Sequence, residues 1–335
     1  MISTTAIPLA DPALAELLAG RMALVEERLR DAVAQADAFA DTASRHLVNA
    51  GGKRLRPMLT LLAAQLGDGQ RPEVLDAAVV VELTHLATLY HDDVMDSAPM
   101  RRGAPAAHEL WGNSVAILTG DLLFARASST VAGLGPEAVR IQATAFERLC
   151  LGQLHETVGP QNGEDAVEHY LRVLADKTGS LIATSARFGA MFAGCPPAVV
   201  RVVTEYGEKV GVAFQLADDV IDLSASGVET GKTPGTDLRE RVATMPVLLL
   251  RARAARADAS SGDRELVALL DSDLTGDAEL ADAVRGLRGH DVVAETLGLA
   301  VKWARAAVAE LEPLPTGVVK DALLSFTDAL VDRAS

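Results

Sequence analysis

Cysteine is scarce in this chain. Cys150 and Cys195 are the only two, and neither belongs to a Cys-x-x-Cys pair. Their scarcity argues against a disulfide framework or a thiolate zinc site and suits a reducing compartment. Positive charge is also short, with 31 Lys and Arg against 46 Asp and Glu, a net charge of -15. Such a field repels polyanions, which disfavours nonspecific nucleic-acid binding and attraction to an anionic membrane; any anionic ligand must be met by a local cluster of cations. Long apolar runs are missing as well: stretches such as 77–81 and 246–250 fall far below the roughly 20 residues that span a bilayer. Residues 1–24 show no basic segment followed by an apolar run, because Asp11, Glu16 and Arg21 interrupt the hydrophobicity. The expectation is a soluble, cytoplasmic protein without nucleic-acid partners or membrane insertion.

Aromatic residues are the last scarcity, at 4% against 49% hydrophobic residues overall. The apolar set is mostly Ala, Leu and Val. Mixed with Glu and Arg, these residues lose little side-chain entropy in a helix. Clusters of Gly, Pro and small polar residues break the pattern near 50–52, 67–72, 98–106, 133–136, 159–165, 194–197, 224–236, 259–263, 275–277 and 312–317. Between the breaks, stretches such as 72–95 and 201–223 carry apolar residues at three- and four-residue spacing, and no segment reads as a strand. No linker or internal repeat divides the chain. This predicts an all-α fold of about ten or more helices, in one domain over 1–335.

Two of these helices share a design. Residues 82–96 are mostly apolar and end in Asp92-Asp93-Val94-Met95-Asp96; residues 210–222 end in Asp218-Asp219-Val220-Ile221-Asp222. At 100° per residue, Asp92 and Asp96 lie one turn apart on one stripe, which His85 shares two turns earlier. Gln215, Asp218 and Asp222 repeat the arrangement. Three carboxylates beside apolar helix repel one another and lose hydration, which raises their pKa values unless cations neutralise them. All-oxygen donors select a hard divalent ion, Mg²⁺ where phosphate oxygens are to be bridged. A single acidic helix end is ordinarily solvated surface, and a single histidine on such a helix is ordinarily a core residue. Two copies, each with a neutral hydrogen-bonding side chain on its stripe, favour metal sites.

The cations are placed to match. Lys53, Arg54 and Arg56 sit in Gly51-Gly52-Lys53-Arg54-Leu55-Arg56-Pro57, where a turn opens a helix and backbone N–H groups and side chains would together hold a diphosphate. Arg101 and Arg102 follow the first acidic cluster, and Lys177-Thr178 and Gly231-Lys232 add further cations. Each alone reads equally well as solvated surface; their order does not.

That order, GGKRLRP (51–57), HDDVMD (91–96), MRRGAP (100–105), GDLLFARA (120–127), DKTGS (176–180), FQLADDVID (214–222), GKTPGTDL (231–238) and TMP (244–246), resembles the trans-isoprenyl diphosphate synthases, the polyprenyl synthetase family, over about 40–330. The resemblance implies a helical bundle of the isoprenoid synthase type around a central active-site cavity, usually as a homodimer. It implies Mg²⁺-dependent condensation of isopentenyl diphosphate with an allylic diphosphate. Lys53, Arg56, His85 and Arg102 would grip isopentenyl diphosphate, and Arg101, Lys177, Thr178, Gln215 and Lys232 the allylic substrate. Asp92, Asp96 and Asp218 would hold metal, about three ions in all, with Asp93, Asp219 and Asp222 in support. One departure stands out. The family often has a Gly-Lys pair where this chain has Arg241-Val242, so that Arg241 or Lys232 would replace the missing lysine.

By the same resemblance, residues ahead of the first aspartate form the floor of the product tunnel. Here they are Thr88 and Ala87, with Leu83 and Thr84 a turn deeper. None is aromatic, which implies a product longer than farnesyl, in the medium- to long-chain range; geranylgeranyl is the near alternative. Tyr90 would alter this if it turned into the tunnel. Two other readings compete: a class I terpene cyclase, which needs no second diphosphate site, and a non-catalytic partner subunit, in which the six aspartates would have eroded.

Overall fold

In the computed structural model the described residues are 8–224 and 235–331. They form sixteen α-helices, one π-helical turn and a two-stranded hairpin. The helices begin where the sequence supplies caps. Helix α1 (Pro12–Ala32) has Pro12 in its first turn and Asp11 as N-cap, accepting from the Leu14 amide at 2.7 Å. Its buried Leu14, Leu18, Met22, Val25 and Leu29 recur every three or four residues, a single apolar stripe. Helix α2 (Ala38–Asn49) is capped by Asp37. Helix α3 (Leu55–Ala64) is buried from Pro57 to Ala64, and α4 (Pro72–Met95) is buried over most of its length.

The chain divides into two compact units. The first comprises Met1–Leu149, Ser180–Glu208 and Val308–Phe326. In it α4 packs against α1, α3, α6 (Asn113–Ala132) and α9 (Ser180–Phe192). Between α4 and α6 lies the unexpected element, an antiparallel hairpin of β1 (Met100–Arg101) and β2 (Ala104–Pro105), followed by α5 (Ala107–Trp111). The expectation of no strand is corrected here: two-residue strands are too short to show a period, and only the Arg102-Gly103 turn, with φ of 55° and 77°, marks them. Helix α6 is long and apolar enough to cross a membrane by length and composition, with 33% of its apolar window buried. Its buried Ala116, Thr119, Gly120, Leu123 and Ala127 form one face, and Ile117 and Leu118 lie exposed on another.

The second unit comprises Cys150–Gly179, Lys209–Ala307 and Thr327–Ser335. Helix α7 (Pro136–Val158) ends in it. Helix α8 (Ala166–Leu174) continues through the π turn Ala175–Gly179, and α10 (Pro197–Ser224) carries the second acidic cluster. Tyr170, Val212, Ala213, Leu216, Ala217 and Met245 belong to one apolar cluster here, with Ala300 and Ala304 from α15 (Asp291–Glu310). A second cluster joins Leu223 and Leu238 of α11 (Thr236–Arg239) with Leu250 of α12 (Met245–Ala254), Leu270 of α13 (Ser261–Leu270) and Leu287 of α14 (Asp277–Arg288). The last helix is α16 (Val318–Val331).

Candidate active site

In the first unit the GGKRLRP segment turns between α2 and α3 with Arg54 in the left-handed region, φ 49°. The two arginines of this segment have different surroundings. Arg54 is buried and fully engaged: Nε donates to Glu26 at 2.5 Å, Nη1 to Glu82 at 2.8 Å and to the Gly51 carbonyl at 3.1 Å, and Nη2 to the Val48 carbonyl at 3.1 Å. Burial opposes its charge, but Glu82 and Glu26 outweigh that and raise its pKa. Arg56 has a buried Nε with no hydrogen-bond partner among the described residues. Burial, opposed by Glu82 and reinforced by Arg102, pushes Arg56 down to about 10.

Arg102 sits in the hairpin turn and donates through Nη1 to the carbonyls of Leu47, at 3.2 Å, and Gly51. Gly52, at φ 135° in a conformation that favours glycine, lets the loop pass close to the guanidinium. Burial lowers the pKa of Arg102, with Glu82 opposing. His85 keeps some surface, yet burial and then Arg56, Arg102, Arg101 and Arg54 hold it well below its usual pKa. It is therefore a neutral imidazole at neutral pH. Lys53 is exposed beside this cluster. A chain of net charge -15 thus gathers four arginines around His85; Glu26 and Glu82 hold Arg54, Glu82 also lies 4.0 Å from Arg102, and Asp93 holds Arg101. Incompletely balanced cations with an orphaned buried N–H suit a multiply charged anion.

At the end of α4, Asp92 and Asp96 are partly exposed one turn apart, and Asp93 between them is fully buried. Asp93 Oδ1 accepts from Arg101 Nε at 2.6 Å, whereas Oδ2 has no partner among the described residues. Burial raises the Asp93 pKa, and Arg101 opposes it. The tunnel candidates lie upstream on the same helix: Leu83, Thr84 and Ala87 are buried, and Thr88 is partly exposed. Thr84 and Thr88 donate their hydroxyls to the carbonyls of Val80 and His85, each at 2.8 Å, which satisfies the polar end of each side chain within the helix. Tyr90 is fully buried and hydrogen-bonds α2, donating to the Ala43 carbonyl at 2.6 Å.

The second unit repeats the acidic design. On α10 Gln215, Asp218 and Asp222 are partly exposed, while Leu216, Ala217, Asp219 and Val220 are buried. Asp219 accepts from the Tyr170 hydroxyl at 3.0 and 3.2 Å and from the Met245 amide at 3.2 Å. Burial pushes its pKa up to about 8, against those donors and with Asp237 and Asp218 adding to the rise. The DKTGS motif forms the π turn, an extra-residue winding that re-aims side chains and recurs at functional sites. It sends Lys177 to an ion pair with Glu156 and Thr178 Oγ1 to Gln215 Oε1 at 3.3 Å. Gly152, one turn before Glu156, makes room: a Cβ there would lie 2.7 Å from the backbone nitrogen of Lys177.

Lys232 lies outside the described residues. Arg241, at φ 61°, lines a cleft with Val242, Arg251, Asp271 and Ser272, and its charge helps to hold Asp273 below the usual range, after hydrogen bonds from Thr275. Among the described residues no three Asp, Glu, His or Cys side chains converge as a metal cage. The donor set present, two partly exposed carboxylates one turn apart on each helix, fits a hard divalent ion that completes its coordination with phosphate oxygens and water. Sequence reasoning missed the supports: Glu26 and Glu82 on Arg54, Glu156 on Lys177, and Tyr170 with the Met245 amide on Asp219. Glu82, a carboxylate in an otherwise apolar helix, was the available signal.

Comparison with known proteins is specific: residues 37–285 match the polyprenyl synthetase family, and the chain belongs to that family. It is 43% identical over 328 residues to the nonaprenyl diphosphate synthase of Mycobacterium tuberculosis, covering 98% of this chain and 96% of that protein. A polyprenyl synthase from Caulobacter crescentus, crystallised with calcium and isoprenyl diphosphate, superposes with a TM-score of 0.88 at 33% identity, covering 96% of this chain and 97% of that one. The geranylgeranyl pyrophosphate synthase of Corynebacterium glutamicum, likewise complexed with calcium and isoprenyl diphosphate, gives 0.85 at 40% identity, covering 98% and 99%. The chain is a prenyltransferase.

Proposed function

We propose that this protein condenses isopentenyl diphosphate with an allylic diphosphate to give a polyprenyl diphosphate longer than farnesyl. The observation that carries this is the contrast in the arginine cradle: Arg54 is held by Glu26 and Glu82, while Arg56, beside His85, keeps a buried N–H for an anion. In this reading Lys53, Arg56, His85 and Arg102 bind isopentenyl diphosphate. Arg101, Lys177, Thr178, Gln215 and Lys232 bind the allylic diphosphate. Asp92, Asp96 and Asp218 hold Mg²⁺, about three ions in all, with Asp93, Asp219 and Asp222 in support; when bound, the metal stabilises charge on the departing diphosphate.

The residues of the chain then act by orientation and charge. As the allylic carbon–oxygen bond breaks, the fixed cations stabilise the leaving diphosphate more than the bound substrate. The double bond of isopentenyl diphosphate, held nearby by the cradle, attacks the carbocation, and the departed diphosphate takes the proton lost afterwards. Thr178 and Gln215 place their dipoles beside the transient positive charge. We assign the whole chain to one catalytic domain, soluble and cytoplasmic, acting as a homodimer through the apolar face of α6, where Leu118 is 65% exposed.

The decisive assay supplies the purified chain with isopentenyl diphosphate, Mg²⁺ and each allylic primer in turn. Product longer than farnesyl supports the reading; turnover of an allylic diphosphate alone would favour a cyclase. Ala87 is 1% exposed in the wall of α4. In the tunnel reading Ala87→Phe should shorten the product, and an unchanged length distribution on chromatography would remove Ala87 as a gate.

A further inference from the structure

Tyr90 precedes the first aspartate by two positions, and its side chain leaves α4 for α2. Its ring is fully buried. The hydroxyl donates to the carbonyl of Ala43 at 2.6 Å and accepts from the amide of Leu47 at 3.2 Å. Ala43 and Leu47 are four apart, the pair that a helix bonds to itself, so the hydroxyl is seated on one rung of α2.

The groups beyond that rung hold the arginines. The carbonyl of Leu47 accepts from Arg102 Nη1 at 3.2 Å, that of Val48 accepts from Arg54 Nη2 at 3.1 Å, and that of Gly51 accepts from both side chains. The end of α2 is therefore a shelf of carbonyls on which two guanidinium groups rest. Tyr90 fastens the shelf to α4, the helix that carries His85 and Asp92. A phenylalanine would fill the same space and leave the rung of α2 to close on itself, so the fold survives while the fastening is lost.

We infer that Tyr90 is a positioning residue for the isopentenyl diphosphate cradle, acting through the last turn of α2 on Arg102. The inference rests on the reading of that cradle given above. It assigns to Tyr90 a role separate from the product tunnel: the hydroxyl sets where Arg102 meets the diphosphate relative to His85. Because one buried hydrogen-bonded link is lost, the expected change is about fivefold in affinity for the diphosphate.

The test compares wild type, Tyr90→Phe, Arg102→Lys and the double variant. Each is titrated calorimetrically with inorganic diphosphate in the absence of divalent metal, then assayed with both substrates. Tyr90→Phe is expected to weaken diphosphate binding and to raise the KM for isopentenyl diphosphate about fivefold, leaving the allylic KM essentially unchanged and lowering the Tm by no more than about 4 °C. In the Arg102→Lys background the same substitution should add little, because the two act in series. Equal rises in both KM values, unchanged diphosphate affinity, or an undiminished effect in the Arg102→Lys background would each overturn the inference. A wild-type protein that binds diphosphate but condenses nothing would overturn the enzymatic reading alone, and calorimetry would still decide the role of Tyr90.

Discussion

The two acidic helix ends carry the same Asp-Asp-x-x-Asp pattern, yet their middle aspartates are held by different chemistry. Asp93 is buried against a charge, Arg101, at 2.6 Å. Asp219 is buried against neutral donors, the Tyr170 hydroxyl and the Met245 amide. The first arrangement couples the acidic end of α4 electrostatically to the hairpin that also presents Arg102. The second ties α10 to the TMP turn and to α8, next to the π turn that aims Lys177. A repeated motif therefore means repeated outward carboxylates and not repeated support, and substitutions should separate the two ends.

The largest effects are expected at the outward carboxylates. Asp92→Ala or Asp218→Ala should each lower kcat by about a thousandfold or more, since each removes a group that would stabilise charge only as it develops; single-turnover assays with saturating Mg²⁺ measure this. If either variant kept its rate, the equivalence of the two ends would be broken. Next in size are the two arginines of the GGKRLRP segment. Arg54→Ala removes the closer of the two cations on buried Glu82, leaving only Arg102 at 4.0 Å, and should cost about 3 kcal/mol of stability. Arg56→Ala should leave the denaturation midpoint nearly unchanged and raise the KM for isopentenyl diphosphate by about ten- to a hundredfold, the loss of a charge-assisted contact.

A smaller effect sharpens the account of the second unit. Gly152→Ala places a Cβ 2.7 Å from the backbone nitrogen of Lys177 and should cost about 1–3 kcal/mol by overpacking, with the allylic KM rising more than that for isopentenyl diphosphate. The smallest is a pH effect in the first unit. Burial and four arginines depress the folded pKa of His85 below 6.5. As pH falls through 6.5 the unfolded chain gains a proton that the folded chain refuses, so stability falls toward acid by up to about 1.4 kcal/mol per pH unit. His85→Gln should flatten that part of the profile in chemical denaturation between pH 5 and 7; a slope equal to wild type would show that His85 protonates freely in the folded state.

Much of this was legible in the sequence. The apolar period over 72–95 marks α4 at its observed bounds, because Pro72 starts the helix and the Asp-rich end stops it. The stripe containing Gln215, Asp218 and Asp222 is partly exposed on α10, whereas Leu216, Ala217, Asp219 and Val220 between them are buried. What was not legible depends on long-range partners. The resemblance singles out Arg56, but the structural role of Arg54 waits on Glu26 and Glu82, each 28 residues away. The π turn leaves no periodic trace, because one extra residue in a helical winding only becomes visible through Gly152 packing against it. The hairpin is shorter than any strand period. Tyr90 gave a side-chain type but no direction, and its bonds to Ala43 and Leu47 supply that.

The most direct measurement is product sizing in parallel reactions of wild type and Asp92→Ala with labelled isopentenyl diphosphate, Mg²⁺ and farnesyl diphosphate. Chains longer than the primer should form with wild type and be nearly absent with the variant. Comparable elongation by both proteins would contradict the assignment of the acidic helix end to catalysis, and no elongation by wild type with any allylic primer would contradict the proposed reaction.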